Sequence, residues 1–346
     1  MNTCEKQERV EHFADPFRTI QIHPTRRCNL ACLHCYSSSA PHFRDMINLN
    51  DLKKFLSYAF DHGFNNISVS GGEPFLYEHL SELLSFSRSI GYHNTMASNG
   101  MLLKSARNQQ ILEYADLIAI SIDGRKEIHD RIRGQEGAFE KMLEGVEVLR
   151  SFHKPFGFIH TVTRESWESL IWLGELAFEL GAKLLQLHPL EMYGRAVEKL
   201  SENYFDDVLA HRTFILANYL ESKYANQMVV QLDLLHREYI EAFPQSVNVF
   251  LRSHETPNRL SDVLDTIIVD EKGVISPIAY GFESSLTIGH VHDFSPTLFD
   301  DYLLSSKRRL EDLFFRTMEK ILRNEEVEII NWNELLINES KALTAA

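Results

Sequence analysis

The sequence predicts an α/β fold built on a parallel sheet, and three observations predict it. Short β-branched or apolar runs recur between about residues 18 and 190, amphipathic stretches of helical length separate them, and strand and helix alternate six times. A cysteine-rich loop directly follows the first of these strands. Parallel strands joined by helical crossovers carry their chemistry at the strands' carboxyl ends, which is where that loop begins.

Taken in order, the strands are Thr19-Ile-Gln-Ile-His-Pro-Thr25, Asn66-Ile-Ser-Val-Ser70, Asn94-Thr-Met-Ala-Ser98, Leu117–Asp123, Phe156–Val162 and Lys183–His188. Between them the 3.6-residue apolar period marks helices over Leu49–His62, Leu76–Ile90, Ser105–Tyr114, Ala138–Ser151 and Ser166–Leu180. Gly63, Gly91 and Gly181 stand where three of them stop. Past residue 190 the pattern changes to a helix over Glu202–Tyr224, a strand over Met228–Leu235 and a hairpin over Thr266–Tyr280 that turns at Glu271-Lys-Gly273. The chain therefore divides into an amino-terminal tail (1–17), an α/β unit (18–190) and a smaller α+β region (191–346).

Composition is that of a globular protein with ample chain for a core: 346 residues, 44% hydrophobic and 24% charged. The net charge of −14, from 35 basic and 49 acidic side chains, opposes binding to nucleic acid. The densest basic stretch, Lys307-Arg308-Arg309, reads as the solvated face of a helix with Glu311 and Asp312 beside it. No apolar run reaches the ~18 residues of a membrane span, and residues 1–18 lack the apolar core of a signal peptide. The expectation is a cytoplasmic protein with neither a nucleic-acid nor a membrane partner.

Three of the four cysteines, Cys28, Cys32 and Cys35, fall within eight residues. Three thiolates on one short loop can hold three irons of a four-iron, four-sulfur cluster and leave the fourth open. Zinc held by the same thiolates with His34 is an alternative, as is a reduced chain with buried cysteines. A second motif, Ser70-Gly71-Gly72-Glu73-Pro74, ends the second strand. Adjacent glycines let a backbone approach a ligand closely, although an ordinary turn uses the same residues.

The Cys-x3-Cys-x2-Cys spacing, with Tyr36 after the last cysteine and Gly71-Gly72-Glu73-Pro74 after the second strand, resembles the radical S-adenosylmethionine (SAM) superfamily. That resemblance implies a partial (β/α)6 barrel, one [4Fe-4S] cluster held by Cys28, Cys32 and Cys35, and SAM cleaved to a 5′-deoxyadenosyl radical. It assigns SAM contacts to Tyr36, Gly71, Gly72, Pro74 and Glu73, the last on the amino group, with Ser98 and Asn99 facing the ribose and methionine. Ile120-Ser-Ile-Asp-Gly124 with His129-Asp-Arg-Ile-Arg-Gly134 resembles a stretch of the peptide-modifying branch. Ser121 and Arg133 would meet the SAM carboxylate, with Asp123 behind them or on substrate; the bland reading of His129-Asp130 is a surface turn. His160 and His188 either line the cavity or are satisfied core histidines.

The hairpin at 266–280 resembles a SPASM or twitch appendage, in which a cysteine follows the hairpin proline and ligates an auxiliary cluster. Here Ile278 follows Pro277 and no cysteine occurs beyond Cys35, while Cys4 reads as a free thiol in the tail. An auxiliary cysteine-ligated cluster is thereby excluded, which points to redox-neutral chemistry. Together these features are similar to radical SAM maturases of ribosomally made peptides, especially the Nif11-class maturases, one group of which are spliceases that excise tyramine and leave an α-keto-β-amino acid. Peptide epimerases, cross-linkers and enzymes acting on a tetrapyrrole or sugar nucleotide are the alternatives. The implied partners are a precursor peptide, a separate leader-recognition protein, since the 18 residues before the first strand are too short for such a domain, and a flavodoxin or ferredoxin reductant.

Overall fold

The computed structural model describes residues 17–252, 259–324 and 326–342; Cys4 and residues 1–16 of the expected tail lie outside them. One ten-stranded sheet organises the chain. Its strands are β1 (Thr19–Ile22), β2 (Asn66–Val69), β3 (His93–Ser98), β4 (Leu117–Ser121), β5 (Phe156–Val162), β6 (Leu184–Pro189), β7 (Val229–Leu232), β9 (Thr266–Val269), β10 (Val274–Pro277) and β11 (Gly289–His290). A short separate pair is formed by β8 (Leu235–His236) and β12 (Ile329–Ile330).

The spatial order is β11-β10-β9-β1-β2-β3-β4-β5-β6-β7. Every contact from β9 through β1 to β7 is parallel, and β10 alone runs against the sheet, pairing antiparallel with both β9 and β11. Strands from both sides of residue 190 thus share one sheet: β7 extends it past β6, and β9 pairs in register with β1, Ile20 opposite Ile267. The hairpin expected at 266–280 is β9–β10, and it turns at 270–273 as the sequence predicts.

Crossover helices run antiparallel to the strands and cover one face: α1 (Leu49–Asp61), α2 (Leu80–Ile90), α3 (Ala106–Ile111), α4 (Lys126–Arg133), α5 (Ala138–Ser151) and α6 (Leu170–Leu180). Asn48 starts α1 by accepting from the backbone N–H groups of Asn50 and Asp51, and Ser105 starts α3 by accepting from Asn108 N. The strands alternate strictly between two faces. Ile20, Ile22, Ile67, Val69, Leu185 and Leu187 are fully buried against the helices. Their neighbours Gln21, Ser68 and Gln186 face the other way and line a cavity. This polar inner face leaves room at the strands' carboxyl ends instead of filling it with branched side chains.

Two expectations change. The stretch at His129-Asp130 is not a surface turn but part of α4, with His129 buried and its Nδ1 accepting from the Asp123 backbone N–H at 3.2 Å. The helix expected from Glu202 begins at Asp207, where Asp206 caps it by accepting from Leu209 N. A 26-residue helix, Leu298–Arg323, packs its apolar face on the core and carries Lys307-Arg308-Arg309. No helix among the described residues is long and apolar enough to cross a membrane.

Candidate active site

A cavity of about 450 Å³ opens at the carboxyl ends of the strands. Cys28, Cys32 and Cys35 all line it, together with Tyr36, Gly71, Gly72, Ser98, Asn99, Ser121 and Arg133. The sequence thus placed ten of its thirteen site residues on one wall. Glu73, Pro74 and Asp123 sit behind that wall.

The cysteine loop has almost no regular structure of its own, so its shape is imposed by neighbours. Gly72 N donates to Thr25 O at 2.9 Å and Glu73 N donates to Arg27 O at 2.9 Å. A Cβ on Gly72 would lie 2.3 Å from Arg27 O, so the glycine is required by the loop itself. The close approach expected toward a ligand is made instead to the backbone of the cysteine loop, with both glycines still facing the cavity.

Glu73 is 1% exposed, and its carboxylate accepts from Ser98 Oγ and Asn99 N, each at 2.9 Å. Burial pushes its pKa up to about 7 against these hydrogen bonds. It fixes the turn after β3, and Asn99 in turn donates to Asn29 Oδ1 on the cysteine loop at 2.8 Å. Pro74 is buried at the start of a short 3-10 turn beneath it.

Asp123 is the corresponding anchor after β4. Its carboxylate is paired with Arg133 Nε at 2.6 Å and His34 Nε2 at 2.9 Å. Burial pushes this acid up, but Arg133 first and His34 second outweigh it and hold it well below the usual carboxylate range. Arg133, also buried, reaches past Asp123 to within 3.6 Å of Cys32 Sγ. Leu30 N points at Cys28 Sγ at 3.4 Å and Ser39 N at Cys35 Sγ at 3.3 Å.

These donors suit sulfurs that carry negative charge. Burial pushes the Cys28 thiol up to about 12 and also raises Cys32, so the bare thiols hold their protons and metal binding would displace them. Among the described residues no three His, Cys, Asp or Glu side chains converge on a point that could hold a single metal ion. A donor set of three cysteines with N–H groups aimed at the sulfurs fits an iron–sulfur cluster with one open iron.

Residues 22–177 match the family model described as the radical SAM superfamily. The chain carries a radical SAM domain. Such domains are enzymes that use a [4Fe-4S] cluster and SAM, and this one is an enzyme domain of that kind. Among curated proteins it is 33% identical over 186 residues to an AdoMet-dependent heme synthase of Methanosarcina barkeri, covering 52% of this chain and 53% of that one. It is 27% identical over 198 residues to the subtilosin biosynthesis protein AlbA of Bacillus subtilis, covering 55% and 43%. The chain spans about half the length of these relatives.

Among solved structures, SuiB of Streptococcus suis bound to S-adenosylmethionine matches with a TM-score of 0.65 at 17% identity, over 85% of this chain and 68% of that one. The enzyme anSMEcpe with AdoMet and a Cp18Cys peptide matches with a TM-score of 0.64 at 17% identity, over 92% and 87%. At that identity the likeness establishes the fold, an α/β radical SAM architecture.

The remainder of the cavity lining was mostly invisible to motif reading. It is built by Thr161, His188, Glu191, Tyr193, Asp233, Asn333 and the hairpin residues Ile278, Ala279 and Tyr280. His188 does line the cavity and is ion-paired through Nδ1 with Asp233. His160 does not: its Nδ1 lies 2.8 Å from Ile122 O and its Nε2 3.1 Å from Ser166 Oγ, a satisfied core histidine. Tyr36 Oη lies 3.2 Å from His23 Nε2 and 3.3 Å from Ser70 Oγ, and its ring meets Tyr280 edge-on at 5.3 Å. Burial pushes His23 down to about 4, so it is neutral there.

Proposed function

We propose that the protein modifies a ribosomally made precursor peptide by radical SAM chemistry, with redox-neutral backbone splicing, tyramine excision leaving an α-keto-β-amino acid, as its specific form. The observation that carries this reading is the hairpin wall. Where the resembling appendages ligate a further cluster, β9 is hydrogen-bonded to β1 and Ile278, Ala279 and Tyr280 face the cavity directly. No cysteine follows Cys35 in the sequence, so this wall shapes substrate and offers no cysteine-held electron sink.

Cys28, Cys32 and Cys35 would hold the cluster, which together with SAM would supply radical chemistry at the mouth of the cavity. Tyr36, Gly71, Gly72, Ser98, Asn99, Ser121 and Arg133 bind SAM on the near wall. Glu73, Pro74 and Asp123 act one layer back, holding Ser98, Asn99 and Arg133 in place. Peptide substrates find support in SuiB, which has been solved bound to precursor peptide SuiA, and in AlbA, a bacteriocin biosynthesis protein. The reading also takes a separate leader-recognition protein and a flavodoxin or ferredoxin as partners.

The test is anaerobic incubation of reconstituted protein with SAM, reductant and the peptides encoded beside its gene. A peptide mass loss equal to a tyramine unit, together with 5′-deoxyadenosine, supports splicing. Deoxyadenosine without any change in a deuterium-labelled peptide defeats the peptide reading. A second reading, a tetrapyrrole substrate, rests on the 33% identity to the heme synthase, and conversion of an iron porphyrinoid in the same assay favours it.

A further inference from the structure

Irregular backbone must place its carbonyls on donors, and the cysteine loop has few of its own. Three of its carbonyls converge on one residue. Arg195 Nη1 donates to Cys32 O at 2.5 Å, Nη2 donates to Ser39 O at 2.7 Å, and the Arg195 backbone N donates to Cys35 O at 3.0 Å. Two of these carbonyls belong to cluster cysteines, and the contacts span 163 and 156 residues of sequence.

The residue before it makes the approach possible. Gly194 has φ +57, and a Cβ there would lie 2.2 Å from Tyr36 O and 2.6 Å from Cys35 O. No other residue lets the segment lie this close to the loop. Upstream, Pro189, Leu190, Glu191 and Tyr193 of the same segment line the substrate side of the cavity. A single stretch of seven residues, 189–195, therefore touches substrate space at one end and grips the cysteine loop at the other.

We propose that Arg195 is a positioning residue for the cluster: with Gly194 it latches the cysteine loop to the substrate-facing segment after β6. The planar guanidinium is needed because its fork spans two carbonyls at once, which an ammonium does not. Arg133 cannot replace it, since that side chain approaches from α4 and engages the Cys32 sulfur and Asp123. The inference rests on the cluster and is independent of what the substrate is.

The test uses the full chain reconstituted anaerobically, as wild type, R195Q, R195K and G194A. Iron release to a bathophenanthroline chelator and the EPR spectrum of the reduced cluster are recorded, with thermal unfolding as the check on fold. Expected is several-fold faster iron release and a broadened spectrum in R195Q, an intermediate result in R195K, and loss resembling R195Q in G194A. Wild-type release and spectrum in folded R195Q overturn the proposal. Should R195Q fail to fold, G194A decides it by the same criterion. Neither readout involves substrate, so a wrong assignment of the peptide leaves this outcome unaffected.

Discussion

Replacing Asp123 by Asn tests the interior of the site most directly. The Asp123 carboxylate is 2% exposed and the Arg133 side chain 9% exposed, so the 2.6 Å pair between them is nearly out of water. Removing one charge from such a pair leaves the other buried without compensation, which costs about 3–5 kcal/mol. Asparagine keeps the volume and one acceptor, so His34 Nε2, now 2.9 Å from Oδ1, can remain bonded and adds little to the loss. With 346 residues and about 2.1 cal/mol/K of unfolding entropy per residue, the unfolding entropy is about 0.7 kcal/mol/K. The expected fall in Tm is then about 4–7 °C, read by calorimetry or circular dichroism of the anaerobic protein. The double replacement Asp123→Leu with Arg133→Met recovers most of that loss, because a buried pair exchanged for apolar side chains is roughly neutral. A Tm for Asp123→Asn within about 1 °C of wild type refutes the reasoning, since it means water or another group already compensates Arg133.

Three further outcomes follow from distances and charges. Burial pulls His188 down, yet Asp233 more than restores it and holds its pKa above the ordinary value. The pair's contribution to stability is therefore complete below about pH 6.5 and is lost as pH rises through the raised folded value; Tm against pH falls across that window in wild type and is flatter in His188→Gln. Gly72→Ala pushes a Cβ to 2.3 Å from Arg27 O, so iron and acid-labile sulfide per chain drop after reconstitution. The control, Gly181→Ala, has nothing within 4 Å, carries only the strain of φ +85 and keeps its iron; equal iron in both variants contradicts the argument. Gly145 lies within α5, where alanine ordinarily stabilises by about 1 kcal/mol, but a Cβ there would lie 2.0 Å from Gly100 O. Gly145→Ala should lower Tm and weaken SAM binding by moving the turn after β3, and a raised Tm would show that the close contact is not obligatory.

Much of the sheet was legible because each strand is short, bounded and followed by an amphipathic helix. Phe156–Val162 and Ala138–Ser151 match the predicted limits at both ends. The helix α4 was less so: Lys126–Arg133 has no apolar stripe beyond Ile128 and Ile132, and two of the three residues it buries, His129 and Arg133 beside Ile132, are polar. Periodicity in apolar residues cannot report a helix whose inner face is mostly polar. The joining of β9 to β1 was also invisible, because the two strands are separated by more than two hundred residues and nothing in either run names its partner. Arg195 escaped for the same reason, since its contacts are with backbone carbonyls that any sequence would provide.

The two barrel histidines, however, could have been separated by parity alone. On β6, Leu185 and Leu187 face the helices, so Gln186 and His188 must face the cavity. On β5, Phe158 and Val162 face the helices, and His160, in step with them, must as well, while Ile159 and Thr161 line the cavity. The same logic of facing and backing divides the motif residues. The two buried acids of the motifs, Glu73 and Asp123, are both spent inside the protein, on Ser98 and Asn99 and on Arg133. A carboxylate left bare beside the cysteines would repel an anionic cluster, whereas one neutralised behind an arginine presents that arginine's positive edge to Cys32. Substitutions at these two acids should therefore register first in stability and only then in cofactor binding, while substitutions at Ser121 or Tyr36, which face the cavity, should do the reverse.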